Sequence, residues 1–76
     1  MNFKQFENPI SGTMWVAEDA RGRTYIVLKN DDRGYTASTQ SIMNNRGHTF
    51  HIIPYPDAVA TLDEAQSKCR EYERAH

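Results

Sequence analysis

The chain's single thiol, Cys69, is the first group in the sequence that could act as a nucleophile. A reactive cysteine needs a neighbour that lowers its pKa, usually a histidine or a helix N-terminus. Cys69 instead falls in the second half of a helix-like segment, in line with Leu62, Ala65 and Tyr72. We therefore predict that Cys69 packs in the core and is not a catalytic nucleophile.

Metal ligation has two sets of candidate residues. His48 and His51 are three positions apart on an expected strand, so they point to opposite faces and cannot share one metal ion. The pair Asp31-Asp32 precedes a glycine and suits a turn. The sequence also contains no glycine-rich phosphate loop, Gly-x-Ser-x-Gly elbow or His-Glu-x-x-His motif. We expect no catalysis, no metal and no cofactor.

Three Arg-Gly pairs recur along the chain, at 21–22, 33–34 and 46–47. The segment Arg33-Gly34-Tyr35 is similar to the start of an RNA-binding motif in which sheet aromatics stack on bases, but residues 36–38 carry no second aromatic. One hypothesis is a small nucleic-acid-binding module with turn arginines beside the stacking platforms Tyr25, Tyr35 and Phe50. The alternative is that glycine supplies turn geometry and arginine keeps the turns soluble.

Composition and charge restrict the class of protein. With 76 residues, 38% hydrophobic and 25% charged, the chain suits one small domain over residues 1–76 and not a disordered or collagen-like segment. The net charge of −1 lacks the basic excess of a dedicated nucleic-acid binder and the acidic excess of a nucleic-acid mimic. Direct binding of nucleic acid is therefore not expected.

The same residues bear on location. No apolar run approaches the 18 or so residues of a membrane span, and residues 1–7 contain no apolar core of a secretory signal. One cysteine allows no internal disulfide, which fits a reducing compartment. These features predict a cytoplasmic protein that does not enter a membrane.

Strands and one helix must position these residues. Residues 14–19 and 23–29 are β-prone runs around Ala20-Arg21-Gly22 and predict a hairpin. Residues 35–39 and 48–53 predict further strands, the second stopped by Pro54 and Pro56, and the first dozen residues could add an edge strand. We interpret residues 40–47, with Asn44, Asn45 and Gly47, as a loop that could hold one helical turn at 41–44.

The last segment has the features of a helix. Thr61 and Glu64 form a capping box, and the apolar residues that follow are spaced along one stripe. The sequence therefore predicts an α+β fold: an antiparallel sheet of three to four strands over residues 1–56, with a C-terminal helix over 61–75 packed on one face.

The strands are apolar on both faces, although one helix covers only one. The runs Met14–Ala17 and Tyr25–Leu28 do not alternate with polar residues, and Ile52 and Ile53 are adjacent. Either the N-terminal segment and the 39–47 loop fold over the second face, or that face meets another protein or a second copy of the chain.

Arginine and aromatic residues concentrate binding energy at protein interfaces. Several of them cluster in sequence near the ends of the two apolar strands. We expect some of these to contact a protein partner or a dimer mate, although Trp15 could equally belong to the core: Trp15, Arg21, Arg23, Tyr25, Arg33 and Tyr35.

In size and layout the whole chain resembles short α+β products of phage and prophage accessory genes, among them anti-CRISPR proteins. The resemblance lies in the hairpin 14–29, the further strands and the closing helix that begins Thr61-Leu62-Asp63-Glu64. It implies a non-enzymatic inhibitor that binds a larger host protein or ribonucleoprotein complex. At a net charge of −1 such an inhibitor would act by surface complementarity and not by imitating DNA.

Overall fold

A computed structural model describes residues 1–10, 12–30, 32–43, 46–54 and 57–76, with side chains described outside 41–46. Five strands form one antiparallel sheet in which each strand pairs with the next along the chain. The elements in chain order are β1 (Lys4–Asn8), β2 (Gly12–Glu18), β3 (Thr24–Asn30), β4 (Gly34–Met43), β5 (Arg46–His51) and the helix α1 (Leu62–Ala75). The predicted α+β class is confirmed.

The predicted strand count of three to four is wrong, because the sheet has five strands. The hairpin over 14–29 is confirmed as β2 and β3, and the first residues do add the edge strand β1. The expected loop at 40–47 is instead the end of β4 and the start of β5, so no helical turn forms at 41–43. Cross-strand pairing of residues 41–43 with 46–48 outweighs the loop signal of the nearby Asn and Gly residues. Asp31, Asn44, Asn45 and Pro56 lie outside the described residues.

The core lies between the sheet and α1. The helix contacts β3 and β4, and the residues buried there are Tyr25, Val27, Ala37, Ile53, Ala65 and Cys69. Leu62 and Tyr72, which complete the predicted helical stripe, are partly buried against this cluster. The prediction that Cys69 is a core residue is confirmed, since it has no exposed surface.

The helix begins where the capping residues predict. Thr61 is the N-cap, and its hydroxyl accepts a hydrogen bond from the backbone N–H of Glu64 at 3.2 Å. Asp63 and Glu64 occupy the first turn, where the helix dipole favours negative charge. In the part of the chain that the structure describes, no helix is both long and apolar enough to cross a membrane.

The segment between β5 and α1 closes one end of the core. Ile52 and Ile53 were expected on opposite faces, but both pack on the helix side, because β5 ends at His51 and the backbone N–H groups of both isoleucines turn to the Ala37 carbonyl. Farther along, Tyr35 and Val59 exchange two backbone hydrogen bonds of 2.8 and 3.0 Å.

Candidate protein-contact surface

Among the residues whose side chains the structure describes, five apolar ones lie on the face of the sheet that points away from α1, and we call this face the open face. Successive residues of a strand point to opposite sides, so the buried Tyr25 and Val27 of β3 place Ile26 and Leu28 on the open face. The strand registers extend this assignment across the sheet. One row across the strands is Phe6, Met14, Leu28 and Thr36, and the next is Lys4, Val16, Ile26 and Ser38.

No second layer of the described chain lies against the open face. Outside the sheet, the contacts between described elements are those of α1 with β3 and β4 on the other side. Of the described residues outside the strands, Met1, Phe3, Ile52 and Val59 all pack against the helix-side core. The apolar residues of the open face therefore stay accessible: Phe6 is 49% exposed, and Met14, Val16, Ile26 and Leu28 are partly exposed.

The accessible area of the whole chain is larger than its mass predicts. The chain exposes 5535 Å², against the roughly 4,800 Å² expected for a folded monomer of its mass. The excess of about 700 Å² approaches the roughly 800 Å² that each partner contributes to a standard protein interface. This excess belongs to the whole surface, to which exposed residues outside the open face, such as Ile10 and Phe50, also contribute.

Charge on the open face is sparse and balanced. Lys4 lies on β1 at one edge of the apolar residues, and Glu18 lies at the end of β2. The remaining positions around the apolar residues are mostly uncharged: Thr24, Thr36, Ser38 and Gln40. Apolar contact surrounded by polar groups is the composition of a protein interface, whereas phosphate binding needs a concentration of cations.

The turn between β2 and β3 is built on Asp19, a residue that the sequence analysis did not single out. Its side chain is 1% exposed. One carboxylate oxygen accepts the backbone N–H groups of Arg21 and Arg23 at 2.9 and 3.0 Å, and the other accepts Arg23 Nε at 2.8 Å and the Tyr25 hydroxyl at 2.9 Å. An aspartate directly before the turn segment Ala20-Arg21-Gly22 was the available signal, because Asp side chains commonly bond to backbone N–H groups two residues on.

These contacts shift two pKa values. Burial opposes ionisation of Asp19, but the four donated hydrogen bonds outweigh burial and hold the pKa of this carboxyl at about 2. Burial and the bond to Asp19 raise the pKa of Tyr25 to about 12. The Arg23 guanidinium lies over the rings of Tyr25 and Tyr72 at 5.9 and 5.6 Å, and its buried Nη2 has no hydrogen-bond partner among the described residues. This cluster secures the β2–β3 turn to the helix.

Tyr25 and Arg23 are therefore unsuited to the contact role predicted for them. Tyr25 has no exposed surface, so its assignment as a partner-binding residue is wrong, and the reason is that its ring fills the core beneath Tyr72. Only 15% of the Arg23 side chain is exposed, and its guanidinium pairs with Asp19. Both side chains stabilise the fold.

The other four candidates divide into two groups. Trp15 and Tyr35 lie on the helix side, with ring centroids 5.7 Å apart, and pack against the edge of the core while partly exposed. Arg21 and Arg33 are exposed in two different turns, and Arg21 Nη1 donates a hydrogen bond to the carbonyl oxygen of His76. None of the six candidates lies among the apolar side chains of the open face.

The residues that form the open face were visible in the sequence as the non-alternating runs of β2 and β3. The composition typical of protein interfaces indicates arginine and aromatic residues. The alternation of side chains along a strand instead indicates the aliphatic residues that lie between them. In addition, Phe6 could be placed there only through the pairing of β1 with β2.

The described residues offer few side chains that could act as a nucleophile or bind a metal ion. Burial raises the pKa of the Cys69 thiol to about 11, which disfavours the thiolate needed for attack. The described residues contain no group of three or more His, Cys, Asp or Glu side chains that could hold a metal ion. The strand register places His48 and His51 on opposite sides of β5, as predicted.

Comparison with known proteins finds no protein family, curated protein or solved structure that matches the chain.

Proposed function

We propose that this chain is a non-enzymatic protein-binding module that contacts its partner through the open face. The observation that carries the proposal is the set of five apolar side chains, Phe6, Met14, Val16, Ile26 and Leu28, on a face that no described element covers. Removing this surface from water stabilises a complex in proportion to the apolar area buried.

The partner that fits this surface is a protein with an apolar patch of similar size. A membrane surface would favour a cluster of cations around the apolar residues, and the open face carries Lys4 together with Glu18. Following the resemblance to phage accessory proteins, we propose a small inhibitor, of the anti-CRISPR kind, that occupies a surface of a larger host protein or ribonucleoprotein complex in the cytoplasm.

Burial weighs against the alternative of a nucleic-acid-binding module. That hypothesis used Tyr25, Tyr35 and Phe50 as stacking platforms. Tyr25 has no exposed surface, and Tyr35 packs beside Trp15 on the helix side. Phe50 is 55% exposed, with its ring 5.3 Å from that of Tyr72. Exposed turn arginines remain at 21 and 33, in turns at opposite ends of β3. One exposed ring and two separated arginines supply little affinity for a single strand, which is normally bound by successive bases stacked along a positively charged groove.

Matched variants on opposite sides of the sheet test the proposal. The immobilised chain is exposed to an extract of the cells in which it acts, as the wild type, as Ile26→Lys on the open face and as Gln5→Lys on the other side of β1. Wild type and Gln5→Lys should retain the same protein, and Ile26→Lys should lose it. The retained protein is then purified and its Kd for the three chains measured by calorimetry.

The outcomes separate the hypotheses. A Kd that rises about 100-fold for Ile26→Lys, with little dependence on salt, supports contact through the open face. Equal binding by Ile26→Lys and wild type would contradict it. Binding of an oligonucleotide that weakens steeply with salt, and that is lost in Arg21→Ala and Arg33→Ala, would favour the nucleic-acid module instead.

A further inference from the structure

We infer that the open face of the free protein is occupied by a second copy of the same chain, packed face to face as a two-layer sandwich. This inference rests on the proposed function, because it takes the open face to be a protein-contact surface and names its first occupant. The partner bound in the proposed function would then compete with the second copy for the same side chains.

The area is the first argument. The whole chain exposes about 700 Å² more than expected for its mass, and covering that area on each of two copies would bury about 1,400 Å², within the range of stable protein interfaces. An exposed apolar sheet face would also promote aggregation unless it were covered.

The arrangement of the side chains is the second argument, because it is self-complementary. If a two-fold axis crosses the strands between the two rows, Met14 faces Val16 of the second copy, Leu28 faces Ile26 and Thr36 faces Ser38. The ring of Phe6 then faces the side chain of Lys4, a pairing that can gain from cation–π attraction. Apolar groups oppose apolar groups, and hydroxyls oppose hydroxyls.

A two-fold axis parallel to the strands, between β2 and β3, gives a second self-complementary register. It places Met14 opposite Leu28 of the second copy and Val16 opposite Ile26. Glu18 then faces Thr24, so no like charges meet. In both registers the aliphatic side chains of β2 and β3 interdigitate at the centre, as the inner faces of β-sandwiches do.

Charge is the third argument. Lys4 and Glu18 give the strand positions around the apolar residues of the open face one positive and one negative side chain, so two copies meet without net repulsion. Two copies of a surface with one sign of charge would repel each other. The net charge of −1 for the whole chain adds little long-range repulsion.

Analytical ultracentrifugation of the full chain tests the inference, with concentrations from about 1 to about 500 μM, a span typical of moderate to weak homodimers. The wild type should approach twice 8.8 kDa, and Ile26→Lys and Leu28→Glu should each sediment as single chains. Each variant places one unpaired charge per chain, two in the symmetric dimer, in the interface, so the dimer Kd should rise about 100-fold or more. Gln5→Lys should dimerise like the wild type. Circular dichroism and melting temperature check that each variant is folded.

Mixing the variants supplies a readout that a folding defect cannot imitate. Ile26→Lys mixed with Leu28→Glu should recover a heterodimer if the two-fold axis crosses the strands. Ile26→Lys mixed with Val16→Glu should recover one if the axis runs along them. Recovery in either mixture supports face-to-face pairing.

The inference is wrong if the wild type stays a single chain throughout, if Ile26→Lys dimerises like the wild type, or if neither mixture recovers a heterodimer. These results are distinct from failure of the proposed function. If the wild type is monomeric and Ile26→Lys loses the captured partner, the dimer is excluded and the binding module is supported. If the wild type dimerises and Ile26→Lys still captures the same proteins, the dimer is supported and partner binding through the open face is excluded.

Discussion

The hydroxyl of Tyr25 donates a hydrogen bond of 2.9 Å to the carboxylate of Asp19, joining the core under α1 to the turn between β2 and β3. The same carboxylate oxygen accepts Arg23 Nε at 2.8 Å. Two residues proposed from the sequence as contact residues are therefore partners of one buried aspartate. Substituting either residue would therefore lower the stability of the fold before it affected any contact with a partner.

Replacing this aspartate tests the structural role of the turn. We expect Asp19→Asn to lower the free energy of unfolding by about 3 kcal/mol, because an amide cannot accept all four hydrogen bonds and leaves Arg23 buried without its counter-charge. Denaturation with urea near neutral pH measures the change. A loss below about 0.5 kcal/mol would show that the cluster contributes little.

The pH dependence of the same variant follows from the lowered pKa of Asp19. The folded value of about 2 lies below the unfolded value of 3.8, so the charged form stabilises the fold by on the order of 2 kcal/mol above about pH 4. That contribution is lost as the pH falls through the folded value. The stability difference between wild type and Asp19→Asn should therefore narrow from pH 6 to pH 2, and a constant difference would contradict this account.

Gly34 combines a positive φ with a close neighbour. Its φ is +88°, and a Cβ at this position would collide with the backbone carbonyl of Val59. We expect Gly34→Ala to cost about 2 to 3 kcal/mol, through backbone strain and displacement of the segment that pairs with Tyr35.

Two matched glycines separate the causes of that cost. Gly22 has a φ of +82° with open space around it, so Gly22→Ala should cost about 1 kcal/mol from backbone strain alone. Gly47 has neither feature, and Gly47→Ala should change stability little. Equal costs for all three substitutions, measured by urea denaturation, would contradict the contact with Val59.

Two valines on opposite faces of the sheet report which face is the core. Val27 is fully buried beneath α1, and Val16 is partly exposed on the open face. We expect Val27→Ala to lower the free energy of unfolding by about 2 kcal/mol and Val16→Ala by less than about 1 kcal/mol. The comparison is made at low protein concentration, so that self-association adds no stability. If Val16→Ala lowered the free energy of unfolding more than Val27→Ala, the core would lie on the open face, which would contradict the structure.

The thiol of Cys69 should be unreactive in the folded protein. Burial raises its pKa to about 11, so at pH 8 it is protonated as well as inaccessible. We expect labelling by a disulfide reagent at pH 8 to be at least about 100-fold slower in native protein than in guanidinium chloride, since reaction requires opening of the structure. Fast stoichiometric labelling of the native protein would contradict the burial and reopen the question of a nucleophile.

Local patterns in the sequence determined the helix and the central hairpin. Thr61 caps α1 and Cys69 lies on its buried stripe as the 3-and-4 spacing predicts, because these features depend on residues within one or two turns of each other. The β2–β3 hairpin and the presence of apolar side chains on both faces were likewise readable, since strand side chains alternate.

Long-range pairing decided the rest. Residues 41–43 are in a strand because they pair with residues 46–48 of β5, although the nearby Asn44, Asn45 and Gly47 suggested a loop. Tyr25 and Ile26 are neighbours in sequence, and only the docking of α1 on one side of the sheet made the first a core residue and left the second on the open face. Phe6 joins Met14 and Leu28 through the strand registers alone. Burial depends on which faces meet in space, and a sequence pattern with two apolar faces does not specify which one the helix will cover.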